Sequence, residues 1–131
     1  MKNIIISALA ILTAGFSIAQ TPFSGHCISG NCKNGEGSYQ IASYAVYKGG
    51  FKNGKPNGVA QINGPNWYIT GTFEGDKMNT MEERSNGSIL KSGSLQLMEF
   101  SYEHVKANYM TDNFYEMNGV YFKLITTGKS T

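Results

Sequence analysis

The stretch Tyr47-Lys48-Gly49-Gly50-Phe51-Lys52-Asn53-Gly54-Lys55-Pro56-Asn57-Gly58 decides the fold, because its landmarks return downstream. Gly49, Gly71 and Gly93 fall 22 residues apart, and Phe51, Phe73 and Leu95 each follow two residues later. The second copy is Ile69-Thr70-Gly71-Thr72-Phe73-Glu74-Gly75-Asp76-Lys77-Met78-Asn79, and the third is worn down to Lys91-Ser92-Gly93-Ser94-Leu95. An earlier half-unit, Asn34-Gly35-Glu36-Gly37, matches Asn57-Gly58-Val59-Ala60 at a spacing of 23. A period of this length marks an array of small similar units, each covering its apolar side with the next.

Asn-Gly occurs six times, at Asn34-Gly35, Asn53-Gly54, Asn57-Gly58, Asn63-Gly64, Asn86-Gly87 and Asn118-Gly119. Both residues tolerate the positive φ that a type I′ turn needs at its two centres, so the chain reads as a string of hairpins. Strands are predicted over 44–51, 59–62, 67–74, 88–97, and 114–117 paired with 120–125, where Tyr, Phe, Ile, Val and Thr gather. Pro56 and Pro65 are expected at turns, where a missing N–H does no harm. The fold class is therefore all-β: an elongated antiparallel meander of hairpin repeats with a C-terminal β cap. Alternation puts Tyr47, Phe51, Ile69 and Phe73 on one face as an apolar spine. Glycine inside a strand costs about 0.5–1 kcal/mol, and the expected compensation at Gly49 and Gly71 is an aromatic ring from the adjoining strand. Residues 99–109 fit neither period cleanly and suit a strand or a short helix.

The leading segment resembles the MORN (membrane occupation and recognition nexus) repeat, whose aromatic and glycine positions are met by Tyr47, Gly49, Phe51, Gly54 and Gly58. Only Ala60 departs, standing where the pattern has its last glycine. The resemblance covers residues 33–97: it is strong in the first unit, fair in the second through Gly71 and Phe73, and weak in the third, where Gly93 and Leu95 remain. Thr80 and Glu82 replace the second unit's distal small residues, which implies a different turn there. Likeness to this family implies scaffolding, protein contact or attachment near membranes, although fold analogy is a weak warrant for function.

Met1-Lys2, an apolar run from Ile4 to Phe16 and Ser17-Ile18-Ala19 before Gln20 have the order of a secretory signal peptide cut after Ala19. The run is short of the roughly 20 residues that span a bilayer. The organisation expected is a signal peptide over 1–19, a lead-in with a cysteine pair over 20–32, the array over 33–97 and a capping segment over 98–131. About 112 of the 131 residues remain after cleavage, enough for one domain with one core. The formal charge falls from +2 to about +1 once Lys2 is removed, and no run of basic residues argues for nucleic acid. In an oxidising compartment Cys27 and Cys32 read first as a structural disulfide. A metal pair with His26 is an alternative short of ligands, since His104 is the only other histidine. A redox dithiol is another, with four intervening residues in place of the usual two. The segment Cys27 to Gly37 also resembles the lead-in of exported bacterial MORN-like proteins. The location expected is the periplasm, the outer envelope or the exterior.

Catalytic patterns are sparse. The chain has no Gly-x-Ser-x-Gly elbow and no His-Glu-x-x-His. Glu82-Glu83 and Glu74 with Asp76 are the nearest carboxylate pairs, and charges on turns are usually solvated; Glu103 beside His104 is the remaining acid–base candidate. The expectation is of no enzyme, no cofactor and no metal. Binding is the affirmative reading, with Tyr44, Trp67 and Tyr68, and Tyr39 beside them, as candidates for an exposed aromatic face. The function expected is a non-catalytic exported interaction or scaffold module. The alternatives are a glycan- or lipid-binding protein using that face, and an enzyme whose pocket the sequence does not announce. The partner expected is a protein or another envelope component, a membrane surface being possible and nucleic acid not, with the oligomeric state left open.

Overall fold

A computed structural model describes residues 21–85 and 88–127, with the backbone alone for 81–83, 85 and 88–92. The expected signal peptide and the expected Asn86-Gly87 turn lie outside the described residues. The fold is an all-β antiparallel meander: β1 (His26–Gly30), β2 (Gly35–Ala42), β3 (Ala45–Lys52), β4 (Lys55–Asn63), β5 (Trp67–Glu74), β6 (Lys77–Ser85), β7 (Ser88–Phe100), β8 (Tyr115–Met117) and β9 (Val120–Thr126). One sheet of nine strands takes the order β1-β2-β3-β4-β5-β6-β7-β9-β8, and among the described residues one helix, α1 (Tyr102–Asn108), is inserted after β7.

Two Asn-Gly pairs make the turns expected of them. Asn53 and Gly54 join β3 to β4 with φ of 53° and 77°, and Asn118 and Gly119 join β9 to β8 with 52° and 86°. Asn57-Gly58 does not turn the chain. It lies inside β4, where Gly58 at φ 81° takes up a local irregularity, so that β4 begins at Lys55 and Pro56 pairs with Phe51 within the strand. The ladder slips between Gly49 and Phe51, which is how a proline is accommodated there. Strands β1, β2 and β6 lie in segments that the residue pattern did not mark. Residues 99–109 divide: Glu99 and Phe100 finish β7, and Ser101 then caps α1 by accepting a hydrogen bond from the His104 amide at 3.2 Å.

The repeat glycines have a role beyond periodicity. Gly37, Gly49, Ala60, Gly71, Thr80 and Gly93 are successive partners across six strands, one row of small residues crossing the sheet from β2 to β7. Register shifts sit along this row, at Gly49/Phe51, Thr70/Gly71 and Thr80/Glu83. Bulges bend strands and glycines let backbones approach, so the row acts as a crease about which the sheet curls. At Gly71 a Cβ would run into the carbonyl of Asn79 and the side chain of Met78, and at Gly49 into the Val59 carbonyl and Ala60. The coverings are therefore neighbouring backbone and Met78, not the aromatic rings expected. A ring does lie over glycine elsewhere, Trp67 on Gly64.

Curling brings the in-phase residues inside. Phe51, Phe73 and Leu95 are all buried, as are Tyr47 and Ile69. The Tyr47 ring packs edge-on to Phe51 at 5.0 Å and tilted to Phe73 at 6.0 Å. The sheet bends far enough for β8 to pack against β2, so Tyr115, Met117 and Phe122 complete the same core. The result is a nearly closed, barrel-like sheet.

Candidate binding mouth and its seam

The edges of the curled sheet are joined by side chains. Glu116, buried on β8, accepts a hydrogen bond from the Gly25 amide just before β1 at 2.7 Å and from the Gly119 amide of its own hairpin turn at 2.9 Å. The Tyr39 hydroxyl of β2 lies 3.1 Å from the same carboxylate and accepts from the Asn118 amide at 3.0 Å. Buried carboxylates are retained where such donors compensate the lost water. Asn118 Nδ2 donates to the Cys32 carbonyl at 3.0 Å and to the Gly54 carbonyl at 2.7 Å, tying the β8–β9 turn to the β1–β2 loop and the β3–β4 turn. Gly54 N–H donates in turn to the Lys33 carbonyl at 2.9 Å, and Asn53 N–H to Asn34 Oδ1 at 3.0 Å. Cys27 and Cys32 form a disulfide that pins the loop leading into this cluster. A disulfide is compatible with an exported protein.

Beside the cluster the sheet stays open. Between the β3–β4 turn, the β5–β6 turn and the ends of β7 and β9 lies a pocket of about 450 Å³. That volume falls within the roughly 300–1,000 Å³ of small-molecule sites, and the mouth of a curled sheet is a common place for one. Its floor is apolar, made of Pro56, Leu97, Met117, Val120 and Phe122; its rim carries Lys52, Lys55, Asn57, Asp76 and Glu99. Lys55 Nζ reaches Glu99 at 3.1 Å across the opening, both side chains more than half exposed, and Asp76 accepts from Gln96 at 2.9 Å. An exposed pair of this kind contributes under about 1 kcal/mol, so it spans the mouth without sealing it.

Comparisons with family models, with curated proteins and with solved structures return no match.

The sequence-predicted aromatic candidates do not form one platform. Tyr44, exposed on the β2–β3 turn, meets Tyr115 edge-on at 6.1 Å. Trp67 packs on the core, and its β5 neighbour Tyr68 points to the opposite side of the sheet, as adjacent strand residues do. Tyr39 is core and seam. Of the repeat residues, Gly54 lines the mouth directly. Burial raises the phenols of Tyr47 and Tyr115 well above their ordinary range, and raises Tyr39 and Tyr121 as well, with the Glu116 charge adding to both of these. These are neutral structural hydroxyls over the working pH range.

Glu103 pairs with Lys106 at 3.1 Å, while His104 stacks on Phe100 at 4.8 Å, so on α1 the two neighbours serve separate contacts. The side chains of Glu82 and Glu83 lie outside those described. Among the described residues, no group of three or more His, Cys, Asp or Glu is placed to hold a metal. Among them, too, no helix is long and apolar enough to cross a membrane. The mouth residues escaped the sequence reading because Leu97, Glu99, Met117 and Val120 lie far from Lys52 to Asn57 along the chain. The one available signal was the pair of lysines flanking Asn53-Gly54, which a two-residue turn sets side by side.

Proposed function

We propose that this chain is a non-catalytic binding domain of the exported side of the cell, built on a MORN-like repeat, that holds a protein or envelope partner at its mouth. The observation that carries this reading is the mouth itself, an apolar floor within a polar rim at the one end where the Asn118 cluster fixes three turns together. The rung aromatics are occupied as core, which moves the contact from a sheet face to this opening. A photo-crosslinking residue at Asn57, on the rim, should capture a partner in the native envelope. The same residue at Val59, exposed on the outer face of β4, should not. Capture from Val59 with silence at Asn57 would place the contact on the outer face instead.

A further inference from the structure

The two lysines at the mouth are set against each other. Lys52 and Lys55 are direct cross-strand partners either side of the Asn53-Gly54 turn, an arrangement that like charges make unfavourable unless something answers them. Glu99 answers Lys55. Lys52 has no acidic partner among the described residues, and it lines the same pocket as the apolar residues Pro56, Leu97, Met117, Val120 and Phe122. Asp76, the other rim carboxylate, is engaged by the Gln96 side chain at 2.9 Å. Lys52 is thus the rim charge left without a side-chain partner among the described residues, and a ligand matched to it brings one negative charge and an apolar body. About 450 Å³ has room for one acyl chain of moderate length and not for the two long chains of a phospholipid.

We infer that the mouth is a site for single-chain monocarboxylates of the fatty-acid class, with the carboxylate on Lys52 and the chain on the apolar floor. This rests on the reading above that the mouth is a binding site, and adds a small-molecule ligand class to it. Burial of the chain on the apolar floor supplies most of the affinity, so a shorter chain should bind more weakly. The lysine supplies selectivity for the anionic head. An exposed ion pair of up to about 1 kcal/mol corresponds to roughly five-fold in affinity, and it weakens as salt rises.

The test is an amide-resolved NMR titration of the disulfide-intact protein with decanoate, decanol and decyltrimethylammonium, which share a tail and differ in head. Decanoate should saturate and shift the amides of residues 52–57, 97–99 and 117–122. Decanol should bind there roughly five-fold more weakly and the cation more weakly still. Lys52→Ala should bring decanoate down to the level of decanol while leaving decanol unchanged, and Lys52→Arg should restore it. Equal binding of decanoate and decanol, an unaltered decanoate affinity in Lys52→Ala, or shifts mapping elsewhere would overturn the assignment. Binding to phosphatidylglycerol vesicles through the mouth without binding of free decanoate would assign the site to a membrane surface instead. If decanoate fails while Asn57 still crosslinks to a partner, the ligand class alone is wrong. If both fail, so does the binding reading.

Discussion

Asn118 Nδ2 lies 2.7 Å from the carbonyl oxygen of Gly54, a hydrogen bond across 64 residues that joins the tip of one type I′ turn to the tip of another. The same amide group holds the Cys32 carbonyl at 3.0 Å, so one side chain ties three separate segments at the rim of the mouth.

Asn118→Gly should keep the backbone, since φ of 52° suits glycine, and lose both amide hydrogen bonds at a cost of about 1–2 kcal/mol. Asn118→Ala should cost about 1 kcal/mol more, because alanine also resists that φ. Urea unfolding of the two variants measures the gap. Equal midpoints for both and for the parent would show that the turn cluster is not fastened through this residue.

The crease gives a second test. Gly71 is crowded by the Asn79 carbonyl and Met78, whereas a Cβ at Gly75 would meet nothing and face only the strain of its φ of 65°. Gly71→Ala should therefore cost about 2 kcal/mol or more through overpacking against backbone, and Gly75→Ala about 1 kcal/mol. A larger loss at Gly75 than at Gly71, read from thermal melts, would remove the crease as the origin of the curl.

Alkaline stability follows from the buried tyrosines. Tyr47 and Tyr115 are raised by burial above the ordinary phenol value of 10. Below about pH 10 the folded and unfolded chains hold the same phenol protons and the full stability is present. Above it the unfolded chain releases protons that the folded chain keeps. Stability should then fall by about 1.4 kcal/mol per pH unit for each of the two. Phenolate absorbance in the folded protein should lag behind that of the urea-unfolded protein. Complete titration of all tyrosines near pH 10 without unfolding would contradict this.

Replacing Cys27 and Cys32 together by alanine opens a loop with a sequence separation of 5, and should cost about 2 kcal/mol, the low end for disulfides. The amides around Gly54 and Asn118 should shift with it, because the Cys32 carbonyl accepts from Asn118 Nδ2, which also donates to the Gly54 carbonyl. Two free thiols titrated in the native protein would remove the bond from the account.

The repeat made the antiparallel meander legible, since Phe51, Phe73 and Leu95 at a fixed interval leave little choice but equivalent strands. Strands β1 and β2 were harder to see. The exposed residues of β1 carry no apolar alternation, and β2 has its bulk only at its far end, in Tyr39 and Ile41. The curl was hidden for a different reason: the row from Gly37 to Gly93 exists only once register is known, and glycine alone does not announce which neighbours it admits. Glu116 reads as a solvated acid in a hairpin of polar and aromatic residues. Its burial depends on Gly25 and Tyr39, which only closure brings near. The disulfide was readable because cysteine spacing and the export pattern agreed without any tertiary information.

The neighbouring hairpins of this sheet can each form as soon as their own residues are available, yet the contacts of the seam cannot. Gly25 waits 91 residues for Glu116, Tyr39 waits 77, and Gly54 waits 64 for Asn118. Contacts of such separation are the slow part of folding, because the loop entropy is spent before the contact is gained. A chain appearing from its N-terminus thus builds its walls in order and has no mouth until the β8–β9 turn arrives. The mouth is the last thing the protein acquires, and a fragment ending anywhere before Asn118 is a ribbon of hairpins whose edges have nothing to join them.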